Sequence, residues 1–323
     1  GLRRYDARRI PARIEHLVRA DGPAARLAER FAAAGHDRYL VGGSVRDALL
    51  GRADPGTDLD YTTGARPDEI EEIVTGWADS VFTIGAEFGT IGAIRDGVTH
   101  EITTFRSEIY RDETRKPVVS FSDDIATDLS RRDFAVNAMA LRLGSEPEMI
   151  DPYGGLADLA AAVLRTPLDP GISFGDDPLR MLRLFRFMAT LGFTADPEAQ
   201  AAVMAMRERL AIVSPARSRD ELVKLMEGEH VATALEGLVS SGLSGEFLPE
   251  LEALATQHDP LHRHKDVLAH TIAVVAKSTQ DPIVRLAAGF HDVGTPVTRE
   301  FGAGGVSFPL QEGVWGRMTR PRM

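Results

Sequence analysis

The sequence predicts an α+β protein whose N-terminal part holds a mixed sheet with helices and whose remainder is helical. Short apolar runs alternate with helical segments from Tyr39 to Leu143, and Gly and Pro residues separate them. After about residue 155 these strand signals fade, and apolar residues recur with a helical period. The length of 323 residues is sufficient for two or three domains, each with its own core.

The individual elements follow from local patterns. The Ala-rich segment 23–34 is predicted to be a helix that Gly35 ends, because glycine readily adopts the left-handed conformation just past a helix. Strands are predicted at residues 39–42, 58–63, 81–84, 90–95, 98–105 and 138–143. Further helices are predicted at residues 45–50, 156–164, 178–191, 196–210, 215–227, 231–241, 264–278 and 281–291. Residues 107–122 are polar, charged and aperiodic, so they are predicted to form a mobile loop.

Composition restricts the function classes. The chain has no cysteine, which excludes disulfides and thiolate metal sites and agrees with a cytoplasmic location. No apolar run approaches the roughly 18–20 residues of a membrane span, so we expect no membrane partner. Nothing in the pattern indicates an oligomeric state.

Charge is unevenly distributed along the chain. The net charge of −11 argues against nucleic-acid binding, because phosphate backbones attract basic surfaces. Arginines nevertheless cluster within residues 1–20, 106–115, 131–132 and 180–186, where they would suit a polyanion. For residues 1–20 alone, a solvated basic arm with ordinary salt bridges explains the pattern equally well.

A glycine turn lies in the most informative stretch, residues 41–60, with the sequence VGGSVRDALLGRADPGTDLD. A predicted strand enters Gly42-Gly43-Ser44, and a helical segment follows. Free backbone N–H groups and the positive end of the helix point at one spot in such a turn, which is therefore predicted to cradle a phosphate.

Two carboxylates follow this turn. Asp58 and Asp60 project from one face of the next predicted strand, where they can share divalent cations. Two-metal phosphoryl chemistry requires clustered oxygen ligands, and Glu101 on a further strand alternates correctly to complete the set. A solvated Asp-rich turn and an ordinary surface glutamate are the alternative interpretations. A triphosphate held beside a two-metal site indicates nucleotidyl transfer.

The arginine pair Arg131-Arg132 precedes a largely apolar segment. The planar guanidinium fork suits bidentate phosphate contact, although cations at a helix end give the same pattern. Asn137 stands among apolar neighbours and is predicted to satisfy backbone groups rather than a substrate.

A helix with a row of arginines follows the pair Asp177-Pro178, which is typical of a helix start. Arg180, Arg183 and Arg186 recur at every third residue among apolar side chains, so a largely buried helix would need anionic partners for them. The alternative without a function is an aspartate that caps the helix and arginines whose charged ends reach the solvent. An aspartate and an arginine side by side also present hydrogen-bond acceptors and donors that could recognise the edge of a base.

Histidines near the end of the chain resemble part of the ligand set of an HD-type metal phosphohydrolase. They are His262, His264, His270 and the pair His291-Asp292. The set does not close, because no His or Asp follows Asp292. Histidines that serve packing are therefore favoured.

Taken in order, these motifs resemble the class II nucleotidyltransferases, which comprise bacterial CCA-adding tRNA nucleotidyltransferases and related poly(A) polymerases. The resemblance covers residues 24–323 and rests on the segments LVGGSVRDALLG, DLD, RRDFAVNAMAL, IDPYGGLADL and DDPLRMLRLFRF. These segments occur in family order and at family spacing, and the set is far more specific than any one of them.

The resemblance implies a polymerase-beta-like nucleotidyltransferase head (a mixed sheet with helices), followed by an all-helical neck and a truncated HD-like helical region. It implies that Asp58 and Asp60 are catalytic and bind Mg²⁺. It also implies that Gly43 and Arg46 hold the incoming nucleotide, beside Ser44 of the predicted cradle.

Further nucleotide contacts are implied in the same way. Arg132 would contact the triphosphate or the ribose. Asp177 and Arg180 would read the Watson–Crick edge of CTP and then of ATP, so that the protein itself acts as the template. Arg183 and Arg186 are likewise nucleotide-contacting positions.

The chain departs from the family pattern in places. Asp176 stands where Glu is usual, Thr295 where Lys is usual, and residues 309–311 (Pro-Leu-Gln) where relatives have histidines. Phosphatase activity of the HD type is therefore not expected. Because relatives continue through more helices, the chain is interpreted as C-terminally incomplete.

Four regions are expected. They are a basic N-terminal arm (1–23), the nucleotidyltransferase head (24–166), a helical neck that selects the nucleotide and binds RNA (167–228), and the HD-like region (229–323).

The leading hypothesis is addition of CCA to the 3′ end of tRNA from CTP and ATP, without a template and with release of pyrophosphate. A poly(A) polymerase, or an enzyme that adds only CC or only A, would use the same chemistry. A metal phosphohydrolase acting through His270, His291 and Asp292 is an alternative of another class, and a catalytically idle RNA-binding fragment is a third.

Overall fold

The computed structural model describes residues 10–18, 23–52, 58–110, 118–255, 267–291, 300–302 and 305–307. The chain divides into two compact units, one formed by residues 1–161 and 165–169 and the other by residues 162–164 and 170–323. None of the described helices is long and apolar enough to cross a bilayer. The four regions expected from the sequence stay a prediction.

A mixed sheet forms the centre of the first unit. The described strands of this unit are β1 (Arg38–Val41), β2 (Leu59–Thr63), β3 (Ser80–Phe82), β4 (Thr90–Arg95), β5 (Val98–Thr104), β6 (Arg106–Tyr110), β7 (Val118–Phe121), β8 (Ala140–Leu143) and β9 (Glu148–Ile150). Seven of them form one sheet in the order β3-β4-β5-β2-β1-β8-β9. Strands β2 and β5 run parallel, whereas the other neighbours are antiparallel. The predicted α+β class is confirmed.

The helices of the first unit are short. They are α1 (Pro23–Ala33), α2 (Gly43–Leu49), α3 (Pro67–Val74), α4 (Ile125–Ser130) and α5 (Gly155–Ala161). Short 3₁₀ helices occupy Ala12–Val18, Ala86–Phe88 and Ala135–Asn137.

Strand β1 is buried on both faces. Leu40 points into a core that includes Phe31 and Ile70, whereas Tyr39 and Val41 point into a second core on the opposite face. A strand covered on both sides reads as a continuous apolar run rather than as an alternating one, which is how it was recognised in the sequence.

The predicted mobile loop at residues 107–122 is wrong for its two ends. Strands β6 and β7 pair antiparallel there as a sheet of their own, with Arg106 opposite Phe121. Ile109, Val119 and Phe121 are residues of high strand propensity, and their spacing hides any alternation among the charged neighbours. Residues 111–117 lie outside the described part.

The second unit is mainly helical. Its helices are α6 (Pro170–Asp176), α7 (Leu179–Leu191), α8 (Pro197–Met206), α9 (Pro215–Met226), α10 (Val231–Ser240), α11 (Pro249–Leu254), α12 (Val267–Lys277) and α13 (Pro282–Phe290). Two 3₁₀ helices occupy Arg207–Ile212 and Leu243–Glu246. The helix predicted at residues 196–210 thus ends earlier, and a 3₁₀ turn continues it. Two strand pairs interrupt the helical region, β10 (Val163–Leu164) with β11 (Thr194–Ala195) and β12 (Glu300–Gly302) with β13 (Gly305–Ser307).

Three helices of the second unit start in the same way. Asp196, Ser214 and Asp281 each accept a hydrogen bond from a backbone N–H in the first turn, and proline follows each of them. A capping oxygen satisfies a donor that the helix leaves open, and proline at the first position has no N–H to satisfy.

The segment after α5 serves both units. Residues 162–164 belong to the second unit, and residues 165–169 return to the first. There the carbonyl oxygen of Arg165 accepts a hydrogen bond from Ala135 N–H (2.7 Å), and its guanidinium pairs with Asp158 (3.1 Å).

A buried aromatic cluster of the first unit contains an arginine and a histidine. The Arg38 guanidinium lies 4.0 Å from the centroid of the Tyr61 ring, and Tyr61 stacks on His100 with their ring centroids 5.7 Å apart. Nδ1 of His100 is hydrogen-bonded to the Tyr61 hydroxyl at 3.2 Å. Burial, and after it the positive charge of Arg38, lower the pKa of His100 to about 4.

This histidine should make the first unit sensitive to acid. Its pKa is lower in the folded than in the unfolded chain, where it is about 6.5, so its contribution is present above that pH and is lost as pH falls toward 4. We expect acidification from pH 7 to pH 5 to cost the wild type about 2 kcal/mol through this group. The free energy of unfolding, measured with urea at both pH values, should differ less between them in His100→Gln than in the wild type. The exposed His16→Gln is the control, and equal acid sensitivity of all three proteins would contradict the assignment.

A second prediction concerns the start of α5. Asp151 accepts hydrogen bonds from Gly155 N–H (2.6 Å) and Leu156 N–H (2.9 Å), and a Cβ on Gly155 would lie 2.3 Å from the carbonyl oxygen of Ala135. Gly155→Ala should therefore lower the free energy of unfolding by about 1–3 kcal/mol through overpacking. Gly64→Ala is the matched control, because its Cβ would make an ordinary contact of 3.6 Å with the Phe105 ring. Equal unfolding free energies of the two variants would refute this explanation.

Candidate active site

The predicted glycine turn connects β1 to α2. Gly42 has φ 69° and ψ −137°, a conformation that L side chains rarely adopt. A Cβ on Gly42 would lie 3.3 Å from Nη1 of Arg132, and one on Gly43 would lie 3.4 Å from Nη2 of Arg46. The turn thus brings main chain close to two guanidinium groups, while Ser44 follows in the first turn of α2.

Arg46 is buried and serves the fold around the turn. Its Nε pairs with Asp47 at 2.8 Å, and its Nη1 donates to Oδ1 of Asn137 at 2.6 Å. Asn137 in turn donates to Oδ1 of Asp133 at 2.9 Å. The prediction that Asn137 satisfies backbone groups is wrong, because these two bonds join side chains. They tie the glycine turn to the segment RRDFAVN and explain why that segment mixes polar and apolar residues.

The predicted carboxylates come together on the sheet. Asp60 in β2 is the direct parallel neighbour of Glu101 in β5, and Asp58 stands just before β2, two residues from Asp60. Alternate residues of a strand share a face, so Asp58, Asp60 and Glu101 project to the same side.

Electrostatics couples these three groups. Loss of hydration raises the pKa of Asp60, Arg132 opposes this rise, and the charge of Asp58 adds to it. Asp60 retains exposed surface and lines a concave cleft, so the loss of hydration is partial. Loss of hydration and then the charges of Asp60 and Asp58 raise the pKa of Glu101. The ionised carboxylates therefore repel one another in the absence of a cation.

Arginines occupy the cleft beside the carboxylates. Asp128 accepts a hydrogen bond from the Arg106 backbone N–H (3.0 Å) and forms an ion pair with Arg132 (3.4 Å). The cleft has a volume of about 250 Å³ and is lined by Val41, Asp60, Tyr61, Thr103, Arg106, Asp128, Arg131 and Arg132. Arg106 and Asp128 were not predicted as site residues. The spacing of Asp128 and Arg132, four residues apart around the end of α4, was a usable signal for Asp128.

The second unit holds the predicted base-reading pair. Asp177 accepts a hydrogen bond from the Leu179 N–H (3.2 Å), and its other oxygen pairs with Arg217 in α9 (3.2 Å). The N-cap position of α7 is Pro178, one residue after the predicted cap. Arg180 is buried and donates to the carbonyl and hydroxyl oxygens of Ser173, both at 3.1 Å. Both side chains are therefore fixed by contacts within their own unit.

The other two arginines of α7 share one acid. Glu221 in α9 lies 3.1 Å from Nη1 of Arg186 and 3.9 Å from Nε of Arg183. Both guanidinium groups also approach the Phe187 ring, at 4.1 Å for Arg186 and 5.7 Å for Arg183. Glu221 is the anionic partner that the sequence required without naming it.

Two of the predicted histidines can be placed. The rings of His270 and His291 meet edge to face with centroids 5.7 Å apart, and Nδ1 of His291 is hydrogen-bonded to the Ala288 carbonyl oxygen. His262, His264 and Asp292 lie outside the described residues. In the part of the chain that the structure covers, no group of three or more His, Asp or Glu side chains is arranged to hold a metal ion.

The chemistry of the acidic set nevertheless fits a hard divalent cation. Asp58 and Asp60, with Glu101 beside them, supply only oxygen donors, which are the ligands that Mg²⁺ prefers. A cation between them would remove the repulsion that raises the pKa values of Asp60 and Glu101.

Two regions of the chain match models of known protein families, and curated proteins are similar to the chain. Residues 38–165 match the family model described as the poly A polymerase head domain, and residues 192–254 match one described as a probable RNA- and SrmB-binding site of polymerase A. The chain is 40% identical over 210 residues to the CCA-adding enzyme of Geobacillus sp. (strain WCH70), covering 65% of this chain and 50% of that protein. It is 39% identical over 225 residues to the CCA-adding enzyme of Bacillus velezensis, covering 69% and 54%.

The fold is shared with solved structures. The Bacillus stearothermophilus CCA-adding enzyme in complex with CTP aligns with a TM-score of 0.63 and 24% identity, over 97% of this chain and 82% of that one. A CCA-adding enzyme in complex with ATP aligns with a TM-score of 0.59 and 22% identity. The chain spans about half the length of the curated relatives that it matches. Its two matched regions and these relatives show that the chain belongs to the family of CCA-adding enzymes and poly(A) polymerases.

Proposed function

We propose that the protein is an RNA nucleotidyltransferase that adds CMP, CMP and AMP to the 3′ end of tRNA, without a template, from CTP and ATP with release of pyrophosphate. The observation that supports this most directly is the in-register placement of Asp60 and Glu101, with Asp58 two residues before Asp60, where Asp60 lines a cleft that also holds Arg106, Arg131 and Arg132. Carboxylates can hold a metal cation and guanidinium groups can bind phosphates, and phosphoryl transfer uses both kinds of group side by side. A cytoplasmic site of action belongs to the same proposal.

Nucleotidyltransferases of this family generally use a divalent metal, and Mg²⁺ is the ion we propose. Asp58 and Asp60 would hold it, with Glu101 as the third carboxylate. When bound, the ion lowers the pKa of the attacking hydroxyl and offsets charge on the leaving oxygens. Arg132 binds and orients the phosphates, and the glycine turn with Gly43 and Ser44 leaves room for them to approach the main chain.

Base selection is assigned to the second unit. The carboxylate of Asp177 and the guanidinium of Arg180 present an acceptor and donors held by Arg217, Leu179 and Ser173. Fixed hydrogen-bonding groups can discriminate between base edges, because a mismatched base leaves a buried donor or acceptor unpaired. Arg183 and Arg186 are proposed as additional nucleotide contacts, oriented by Glu221.

The function can be tested with tRNA that lacks its last three nucleotides. We expect two cytidines to be added from CTP alone, and the complete CCA from CTP with ATP, as read by sequencing of the products. A long run of adenosines would identify a poly(A) polymerase instead, and addition of only CC or only A would identify an enzyme that shares the task with a partner.

The acidic pair is tested in the same assay. Asp58→Ala should reduce CMP incorporation at least about 100-fold, because charge stabilisation by a bound metal is worth several kcal/mol and each 1.36 kcal/mol is tenfold in rate. The matched control is Asp68→Ala, which removes an exposed acid from the first turn of α3 in the same unit. Full activity of Asp58→Ala would exclude its role.

Metal binding has a readout that does not require turnover. Because the pKa of Asp60 is raised in the folded state, its ionised form opposes folding once pH exceeds the unfolded value of about 3.9, and Asp60→Asn should unfold at a higher temperature than wild type at pH 7 in chelator. Mg²⁺ at ten times its dissociation constant should then stabilise the wild type by about 1.4 kcal/mol and the variant less. Equal stabilisation of the two proteins by Mg²⁺ would remove Asp60 from the metal site.

A further inference from the structure

Arg106 is an arginine of the cleft with no assigned role. It is the first residue of β6 and is held from two sides, through its backbone N–H by Asp128 (3.0 Å) and through its Nη2 by the Thr90 hydroxyl (3.2 Å). Thr90 is in turn hydrogen-bonded to Thr103, another residue of the cleft wall, at 2.9 Å. The guanidinium therefore has a fixed orientation.

One donor of this fixed guanidinium is unused. Nε of Arg106 is buried and has no hydrogen-bond partner among the described residues, and the same is true of Nε of Arg132. A buried donor without a partner is unfavourable, and more so when it belongs to a charged group. Both arginines line the same cleft, so a ligand that accepts hydrogen bonds there would meet guanidinium groups whose donors the described residues do not all use.

The charges that line the cleft also favour an anionic ligand. Three guanidinium groups line the cleft, from Arg106, Arg131 and Arg132, against the carboxylates of Asp60 and Asp128. Loss of hydration lowers the pKa of Arg106, Asp128 partly opposes this, and the two neighbouring arginines add to it. Arginine side chains thus outnumber carboxylates in the lining of this cleft, which favours an anionic ligand.

Position favours a polyphosphate as that anion. Arg132 lies beside the glycine turn, since a Cβ on Gly42 would be 3.3 Å from its Nη1, and the Arg46 side chain is bonded to Asp47 and Asn137. Planar guanidinium forks bind phosphate oxygens in pairs of hydrogen bonds, and several forks together suit a group with several phosphates.

We propose that Arg106 contacts the two phosphates that leave as pyrophosphate, together with Arg132. This inference rests on the proposed function and adds a substrate-contacting residue to it.

The test is equilibrium binding of CTP, inorganic pyrophosphate and CMP to the wild type, Arg106→Gln and Arg106→Lys. We expect Arg106→Gln to weaken CTP and pyrophosphate by the same factor, about 10- to 100-fold, and to leave CMP unchanged, because CMP lacks the two phosphates. Arg106→Lys keeps the charge without the fork and should lose less. The control is Arg95→Gln in β4, an arginine that pairs with Asp96 and does not line the cleft.

The outcomes are distinct. Wild-type affinity of both Arg106 variants for CTP and pyrophosphate would overturn this inference and leave the proposed function standing. The same variants are also titrated with tRNA, and a loss of affinity for tRNA alone would overturn this inference, since the cleft would then hold RNA backbone. A wild-type protein that binds neither CTP nor pyrophosphate would overturn both. If circular dichroism shows that Arg106→Gln does not fold, a selective loss of CTP and pyrophosphate over CMP in Arg106→Lys decides the question.

Discussion

The parallel pairing of β2 with β5 is the constraint on which the rest of the first unit depends. It is the single parallel step within the seven-stranded sheet, and it sets Asp60 beside Glu101. A slip of one residue in either strand would turn one acid to the opposite face, where Tyr61 and Ile102 pack in the core. The apolar packing of these residues therefore fixes the chemistry on the other face. The position of the acids is a consequence of the core rather than of any contact between the acids themselves.

The site is built from groups that are unfavourable in isolation. The charges of Asp58, Asp60 and Glu101 repel one another, and the positive charges of Arg131 and Arg132 lower the pKa of Arg106 beside them. Such an arrangement lowers stability without ligands, and ligands of opposite charge would restore it. In the second unit the predicted site residues have partners of opposite charge, since Asp177 pairs with Arg217 and Arg186 pairs with Glu221. Phosphates and metal would thus be bound by unsatisfied charge, whereas the base would meet groups already held in place.

The local sequence pattern predicted most helices and strands. The elements and residue roles that it missed depend on contacts between distant parts of the chain. The strand at Arg38–Val41, the glycine turn and the proline-started helices follow from neighbouring residues, so the sequence alone indicated them. Strands β6 and β7 were missed because each is stabilised by the other, across a connection that the pattern presents as polar. The role of Arg46 depends on Asn137, which lies 91 positions away, and no periodicity connects the two. Likewise Glu221 became visible only when α9 was seen against α7.

The course of the chain after α5 bears on how the protein can be divided. Because residues 165–169 return to the first unit, a boundary placed directly after Ala161 would remove the carbonyl group that pairs with Ala135 N–H and the guanidinium that pairs with Asp158. Both partners adjoin the segment that positions the glycine turn. Excision after Asp169 would retain them but would take Val163 and Leu164 from β11. The two units are consequently interleaved in the polypeptide, and no single scissile position yields both intact.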